Sequence, residues 1–325
     1  MKVSVIVPIY NVSRFISRCV LSLMNQTLED VEYIFVDDAT PDESIMILHD
    51  IINQYPAKRD NCIILHHEKN MGLPAARNTG LQVAKGEYIF HCDSDDFVEP
   101  EMLEKMYKTA KTHDADIVWC DWFLSFEKNE RYMKQPEYTT SEDALKGMLS
   151  GAMKYNVWNK LVRHSLYNIN GIIFPAGYGM GEDMTMIRLF ARAQKVVYIP
   201  KAFYHYVKLN DNAFCSSLSE KKLSDLRHNV DMVMDDLRSV LGNTLEKEFA
   251  FFRLEVKFPL LISDNKSYYK LWKTWYPEAN KYIFLNKRLS FRSRCIQWLA
   301  WKNCFWAVKL YYRLVYKVIY GIIYR

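Results

Sequence analysis

Short runs of β-branched and aromatic residues at 2–7, 31–36, 62–66 and 87–91 alternate with helical patterns at 13–24, 42–55 and 74–84. A strand followed by a helix cannot turn straight back as a hairpin. The alternation therefore predicts an α/β domain with a mostly parallel central sheet. Thr40, Pro41 and Glu43 read as N-cap, first helical position and capping-box partner of the second helix. A further helix follows Pro100, and 116–123 reads as another strand. Beyond 140 the pattern changes: a helix opens at Thr140 or Ser141 and ends near Gly151, an irregular stretch runs to Gly181, a helix covers 184–194 and a strand 196–199. From Ser219 the chain reads as helices over 219–241, 244–262 and a tail from about 291. The expected organisation is an α/β domain over 1–217, a helical appendage over 218–290 and a tail over 291–325.

The 325 residues suffice for about two domains with a buried core. Half are apolar and a quarter charged, which excludes a disordered chain. Seven cysteines form no CxxC pair and no zinc-like spacing, as expected of a reducing compartment. Met1 leads straight into a strand-like run without the apolar core of a signal peptide, so the expected location is the cytosol.

In an open parallel sheet, ligands bind outside the carboxyl ends of the strands. Those ends carry Pro8-Ile9-Tyr10-Asn11, Asp37-Asp38-Ala39-Thr40 and Asp93-Ser94-Asp95-Asp96, which should converge on one cleft. Asp37 and Asp38 also suit the acidic lead-in to a helix, and Tyr10-Asn11 a simple turn. The three carboxylates at 93–96 repel one another and raise one another's pKa unless a cation gathers them. Hard oxygen ligands without His or Cys point to Mg²⁺ or Mn²⁺ holding phosphates.

In order and spacing, four segments resemble the family-2 glycosyltransferases of the GT-A fold, of the inverting kind found in bacterial polysaccharide biosynthesis. They are Val5-Ile6-Val7-Pro8-Ile9-Tyr10-Asn11, Val36-Asp37-Asp38-Ala39-Thr40, Asn70 through Gly80, and Gly86-Glu87-Tyr88-Ile89-Phe90 leading into Asp93-Ser94-Asp95-Asp96. The resemblance covers 2–125 firmly and 155–217 more loosely. It implies a GT-A domain with a mostly parallel sheet, a helical C-terminal extension, and a hexosyltransferase activity using a nucleotide-sugar donor, usually a UDP-sugar. Pro8, Tyr10, Asn11, Asp37, Asp38, Arg77, Asp93 and Ser94 are the implied nucleotide-sugar contacts. Asp95 is the implied main metal ligand with Asp93, and His205 is a further candidate; Mn²⁺ or Mg²⁺ is the implied cofactor. Asp183 corresponds to the family's base and Glu182 to its acceptor-side neighbour. At the start of a helix, both should be kept ionised by the dipole. Trp158 reads either as core or as an acceptor platform, and Trp158-Asn159-Lys160 resembles a family element of unassigned role.

After Glu278 there is no acid but ten basic residues, which leaves residues 1–278 at −5 under a net charge of +5. Trp298, Trp301, Phe305, Val308, Tyr312, Val315, Ile319 and Ile322 recur at three and four, with Lys302, Lys309, Arg313 and Lys317 on an adjoining flank. No stretch of 18 residues there is free of Lys or Arg, which excludes a simple span. The expected partner is an anionic membrane surface at the inner face of the cell membrane, and the expected acceptor is a glycan or a lipid-linked one. Nucleic acid is not expected. The alternatives are a sugar nucleotidyltransferase, which the missing Gly-rich turn and Lys after the first strand oppose, and a non-catalytic nucleotide- or membrane-binding relative.

Overall fold

The computed structural model describes residues 1–209 and 219–319. The loop through Ser216 and Ser217 and the side chains of Lys317, Ile319 and Ile322 lie outside the described residues. The opening alternation becomes β1 (Val3–Ile9), α1 (Ile16–Met24), β2 (Val31–Asp37), α2 (Ser44–Asn53), α3 (Pro56–Arg59), β3 (Cys62–His66), α4 (Leu73–Val83) and β4 (Tyr88–His91). β1 pairs in parallel with β2 and with β4, and β2 with β3. The chain thus leaves β1 toward one edge and returns on its other side. The topological switch point lies between β1 and β4, where the carboxyl ends of a doubly wound sheet leave a crevice. All seven β1 residues are buried, as a strand covered on both faces requires.

The second half adds β5 (Phe97–Val98), α5 (Met102–His113), β6 (Ile117–Ser125), β7 (Glu130–Met133), α6 (Ser141–Leu149), β8 (Lys160–Arg163), α7 (His164–Asn170), α8 (Thr185–Phe190) and β9 (Val196–Val207). β8 falls where the sequence reads as irregular. It runs antiparallel between β4 and β6 and joins the two halves of one sheet. Four residues that begin with a buried Lys and end with Arg show no strand periodicity, so only the sheet reveals them.

The second helix also departs from expectation. α2 begins at Ser44, and no side chain caps it from Thr40. Asp42 takes that role instead: its carboxylate accepts from Ser44 N and Oγ, Thr40 Oγ1 and Ser13 N. Partial burial opposes its ionisation, but these bonds prevail and hold Asp42 down at about 2. The bond to Ser13 ties the start of α2 to the chain entering α1.

Two compact units result. The first comprises Met1–Ala144 with Tyr155–Val233; the second comprises Leu145–Lys154 with the chain from Met234. The division falls inside α9 (Glu220–Leu241), not at 217. The second unit packs α10 (Glu246–Lys257), α11 (Lys266–Thr274), α12 (Phe291–Trp301) and α13 (Phe305–Tyr311) around Phe249, Phe252, Trp272, Ile283 and Val308. Lys257 is wholly buried there, donates to Trp275 O, Tyr276 O and Asn280 Oδ1, and lies 4.3 Å from the Trp272 ring centre. The tail is not one helix: α12 stops at Lys302, Asn303 turns left-handed at φ 60°, and α13 starts afresh. That turn rotates the expected stripe out of register. Among the described residues no helix is long and apolar enough to cross a membrane.

α4 lies tight against β1 because residue 80 has no side chain. A Cβ there would come within 2.5 Å of Ile6 Cγ2, in the middle of the sheet. Gly80→Ala is expected to cost about 1–3 kcal/mol of stability through overpacking, read as a lowered denaturation midpoint with unchanged slope in urea.

Candidate active site

The crevice is built from the carboxyl ends of β1, β2 and β4. Pro8 is buried within β1 opposite Val36, and the strand delivers Tyr10 and Asn11 to the surface, both exposed. Asn11 is left-handed (φ 55°), and its N–H donates to Thr40 Oγ1 at 2.7 Å. Asp37 accepts from Thr40 N and faces His66 Nδ1 at 2.9 Å, half-exposed at the crevice edge.

Asp38 differs from its neighbour. It is buried, and its carboxylate accepts from Met71 N (2.7 Å) and Gly72 N (2.8 Å) and faces His67 Nδ1 (2.7 Å). The expected nucleotide contact is thus a brace for the turn at the head of α4. From that helix Asn78 makes a reciprocal pair with the backbone of Phe174, donating to its carbonyl at 2.9 Å and accepting from its N–H at 2.8 Å.

Arg77, also on α4, is 1 % exposed. Its Nη2 lies 2.8 Å from Asp93 Oδ1 and 3.9 Å from Glu182 Oε1, while Nε and Nη1 are buried without a hydrogen-bond partner. Burial disfavours its charge, yet Asp93, Glu182 and Asp183 together outweigh that and raise its pKa. Arg77 therefore sits beneath the acids and ties them together, instead of reaching into the crevice as a fork.

The turn after β4 divides its own acids. Ser94 is buried, and Asp93 and Asp95 are half-exposed. Asp96 is sealed: Oδ1 accepts from Val207 N at 2.7 Å and Oδ2 from Tyr204 Oη at 2.8 Å, and Tyr204 Oη in turn accepts from Asp93 N. Burial and the neighbouring Asp95 and Asp93 push the Asp96 pKa well up. Trp158 stacks on Tyr204 at 4.5 Å and on Tyr206 at 5.4 Å, buried, so it belongs to the core behind this latch and offers no acceptor platform. His205 is also corrected. Its ring lies between Phe97 and Phe123, with Nδ1 at 2.7 Å from Glu130 and Nε2 at 2.9 Å from Glu99, which leaves no nitrogen for a cation beside Asp95.

Glu182 and Asp183 follow Gly181, whose φ of 92° suits glycine. They occupy a three-residue turn ahead of α8. Burial outweighs the helix end expected to keep them ionised. Glu182 is pushed well up by burial and then by Asp183, and Asp183 rises to about 6 by burial, against the pull of Arg77, a hydrogen bond with Glu182, and Lys160. The two side chains share a hydrogen bond. The segment before them is held by Asn229 of α9, whose Nδ2 donates to Tyr178 O at 3.1 Å and Met180 O at 2.9 Å. Asn78 lies inside the 70–80 segment that carries the resemblance and Asn229 outside every such segment, but the bonds of both reach backbone far away along the chain.

Among the described residues no three His, Cys, Asp or Glu side chains form a metal-holding group. The half-exposed Asp93 and Asp95 still fit Mg²⁺ or Mn²⁺. Mg²⁺ in phosphate-handling sites is held by one or two carboxylates, with waters and substrate phosphates completing the shell, and Mn²⁺ shares the preference for oxygen.

The family model for glycosyl transferase family 2 matches residues 4–180. EpsH of Bacillus subtilis is 34% identical over 212 residues, covering 63% of this chain and 60% of its own. The poly(ribitol-phosphate) beta-glucosyltransferase of Bacillus spizizenii is 33% identical over 221 residues, covering 66% of this chain and 34% of its own. This chain thus spans about 60% or less of the length of these two curated relatives. Among solved structures, S. aureus TarS 1–349 in complex with UDP superposes with a TM-score of 0.70 at 20% identity, over 96% of this chain and 91% of that one. The mannosyltransferase PcManGT of Pyrobaculum calidifontis, with GDP-Man and Mn²⁺, does so at 0.51 and 15% identity, over 96% and 86%. The TarS likeness bears out the expected GT-A fold with a helical C-terminal region.

The Asp96 latch has a direct consequence. Asp96→Ala strands Val207 N–H and Tyr204 O–H in the interior, at about 1–3 kcal/mol for each unsatisfied group. Chemical denaturation should register that loss as a lowered midpoint.

Proposed function

This chain belongs to glycosyl transferase family 2, and on that premise we propose that it moves a sugar from a nucleotide donor, a UDP-sugar, to a glycan or lipid-linked acceptor in cell-surface polysaccharide synthesis, by a single inverting displacement that requires a divalent cation. The observation that carries this reading is the convergence of the strand-end acids of β4 with Glu182 and Asp183 around one buried arginine. Two neighbours support the choice of donor and acceptor. TarS has been solved with UDP and with UDP-GlcNAc, and the Bacillus spizizenii relative acts on poly(ribitol-phosphate).

In this reading Tyr10 offers an exposed ring face to the base, and Asn11 and Asp37 offer polar groups at its edge. Asp95 and Asp93 hold Mg²⁺ or Mn²⁺, which when bound neutralises charge developing on the departing diphosphate. Arg77 holds Asp93 in place through the 2.8 Å contact of its Nη2 with Oδ1. Asp183 takes the acceptor hydroxyl proton as the new glycosidic bond forms and the bond to the diphosphate breaks. Its pKa of about 6 suits that task, since a general base works best when its pKa lies near the working pH. Glu182 is buried and Asp183 half-exposed, so Asp183 is the acid of the pair placed to meet an acceptor.

The test is donor consumption across UDP-, GDP- and dTDP-sugars with Mn²⁺ or EDTA. Release of one nucleotide should stop with EDTA and in Asp95→Ala. Asp183→Asn should lower turnover by about 10²–10⁴-fold, the usual worth of a general base, while UDP still binds. Because Asp183 must be ionised, turnover should rise with pH through about 6 and level off above it. If no nucleotide binds with Mn²⁺ present, the reading is wrong.

For location we propose peripheral attachment to an anionic membrane through α12 and α13. Phe291, Trp298, Trp301, Trp306, Leu310 and Leu314 are exposed there among Arg292, Arg294, Lys302 and Lys309, with no acid in the segment. Each Lys or Arg near such a surface contributes about 1 kcal/mol. Phosphatidylglycerol vesicles should sediment the protein, salt should weaken this, and Trp301→Ser with Trp306→Ser should abolish it. Equal binding to neutral vesicles would exclude the electrostatic account.

A further inference from the structure

The second unit carries a pocket that the mechanism does not use. Its volume is about 450 Å³, and its lining gathers Lys146, Lys247, Lys287 and Arg288, with Glu248 the one acid among the described residues that line it. The four cations come from three stretches of chain: α6, the first turn of α10 and the turn at 285–289.

These stretches are tied to one another. Asn286 is 1 % exposed, and its Nδ2 donates to Ser150 O at 3.0 Å, which joins the 285–289 turn to the end of α6. Ser150 N donates to Lys146 O at 3.0 Å, so Lys146 stands one helical turn from that anchor. On the α10 side, Glu255 lies 3.5 Å from Lys154, and a Cβ on Gly151 would come within 2.6 Å of Glu255 Cδ. Within the 285–289 turn, Lys287 N donates to Leu285 O at 3.0 Å and Leu289 N to Asn286 O at 3.3 Å. With Asn286 turned inward, Lys287 and Arg288 are exposed. Lys247 lies 5.7 Å from the centre of the Phe251 ring, which also lines the pocket. Four like charges around one pocket repel one another unless an anion joins them, and Glu248 alone leaves the pocket strongly positive.

The neighbouring surface indicates what that anion is attached to. Leu285 belongs to the lining and is 52 % exposed. Beside it in the chain Phe284 is exposed, its ring 6.5 Å from Phe291 and 6.4 Å from Trp298, which are exposed as well. An apolar ledge therefore adjoins the basic pocket, the mark of a surface that meets a partner or a membrane. A freely soluble phosphate makes no use of such a ledge, whereas a phosphate carried on a lipid does.

We propose that this pocket is a headgroup site for a lipid phosphate bearing more than one negative charge, a phosphate monoester or a diphosphate. A monoester carries a charge of about −1.5 to −2 and three acceptor oxygens, and a diester headgroup carries a single charge, so four cations in one pocket favour the former. The proposal deepens the membrane attachment proposed for α12 and α13 and rests on that unit meeting a lipid surface.

The test compares sedimentation of the whole chain with phosphatidylcholine vesicles that carry phosphatidic acid or phosphatidylglycerol, adjusted to the same surface potential. Wild type should prefer phosphatidic acid by about tenfold. Lys247→Gln, Lys287→Gln and Arg288→Gln combined should weaken that binding about a hundredfold and remove the preference, with the denaturation midpoint unchanged. Lys287→Gln with Arg288→Gln replaces the triple variant if it does not fold. Calorimetry with dihexanoyl phosphatidic acid and with glycerol 3-phosphate separates a lipid from a free phosphate, and the lipid should bind at least tenfold tighter. The proposal is overturned by equal binding to the two vesicles, by a triple variant that binds as wild type, or by glycerol 3-phosphate binding as tightly as the lipid. Trp301→Ser with Trp306→Ser should lose vesicles yet keep dihexanoyl phosphatidic acid. If wild type sediments with no vesicle but takes up that lipid through these cations, the attachment through α12 and α13 fails and the headgroup site stands. If phosphatidylglycerol vesicles sediment it and the triple variant alike, only the headgroup site fails.

Discussion

A guanidinium shut away from water is the costliest single feature of this site, and most of the surrounding structure serves to hold it. Removing such a charge from water costs several kcal/mol even after relaxation, and only close, well-aligned carboxylates offset it. Arg77 finds Asp93 at 2.8 Å and Glu182 at 3.9 Å, two acids some ninety residues apart in the chain. Holding both fixes the end of β4 against the turn before α8. The helix carrying Arg77 is itself fixed at three points: Asp38 braces its first turn, Asn78 grips the backbone of Phe174, and Gly80 lets it approach Ile6. A shift of that helix by an ångström would leave the charge buried without its partner, the expensive way to break an ion pair.

Two lysines among the described residues are also buried, Lys160 and Lys257, and their surroundings differ. Burial lowers both Lys160 and Lys257 to about 7. Lys257 meets three oxygens and the face of Trp272, and the acid that acts on it, Glu278, is half-exposed at the helix surface. That is a packing solution, an ammonium used as a hub for the second unit. Lys160 meets two oxygens, and the acid that acts on it is Asp183. Desolvation is common to both; what differs is the place, since Lys257 joins helices of the second unit and Lys160 sits on the central sheet between β6 and β4.

What the sequence discloses follows from range. The first four strands and the polar residues at their ends are written locally, as β-branched runs with acids behind them, and each strand appears within a residue or two of where it is expected. Local rules also mislead where a neighbour competes: Thr40 has the position of a cap, but Asp42, two residues on, has the stronger acceptor and takes the bonds. β8 is invisible because a four-residue strand whose first three residues are all buried has no period, and the left-handed Asn303 breaks a stripe that spacing alone presents as continuous. Trp158 and His205 have side chains suited to a ligand, and only depth and partners assign them to the core and to a clamp. Asn78 and Asn229 bond backbone 96 and about 50 residues away, beyond any pattern in the sequence.

Apart from Asp93, the acids of the site come in adjacent pairs, and each pair divides in the same way. Asp38 is buried while Asp37 is half-exposed, Asp96 is buried while Asp95 is half-exposed, and Glu182 is buried while Asp183 is half-exposed. Consecutive residues at a strand end or tight turn point in different directions, so a doublet that seems redundant in sequence supplies one group to each side. The inward member is consumed: Asp38 by Met71 and Gly72, Asp96 by Val207 and Tyr204, Glu182 by its bond to Asp183. Two of these inward acids carry strongly raised pKa values and need not be charged to do their work. The outward member keeps its place because the inward one is fixed. Seven carboxyl groups lining one cleft repel one another. Burial pushes the Asp96 and Glu182 pKa values up and Arg77 is set among the rest, so the negative charge of the site lies toward its half-exposed members Asp93, Asp95 and Asp183.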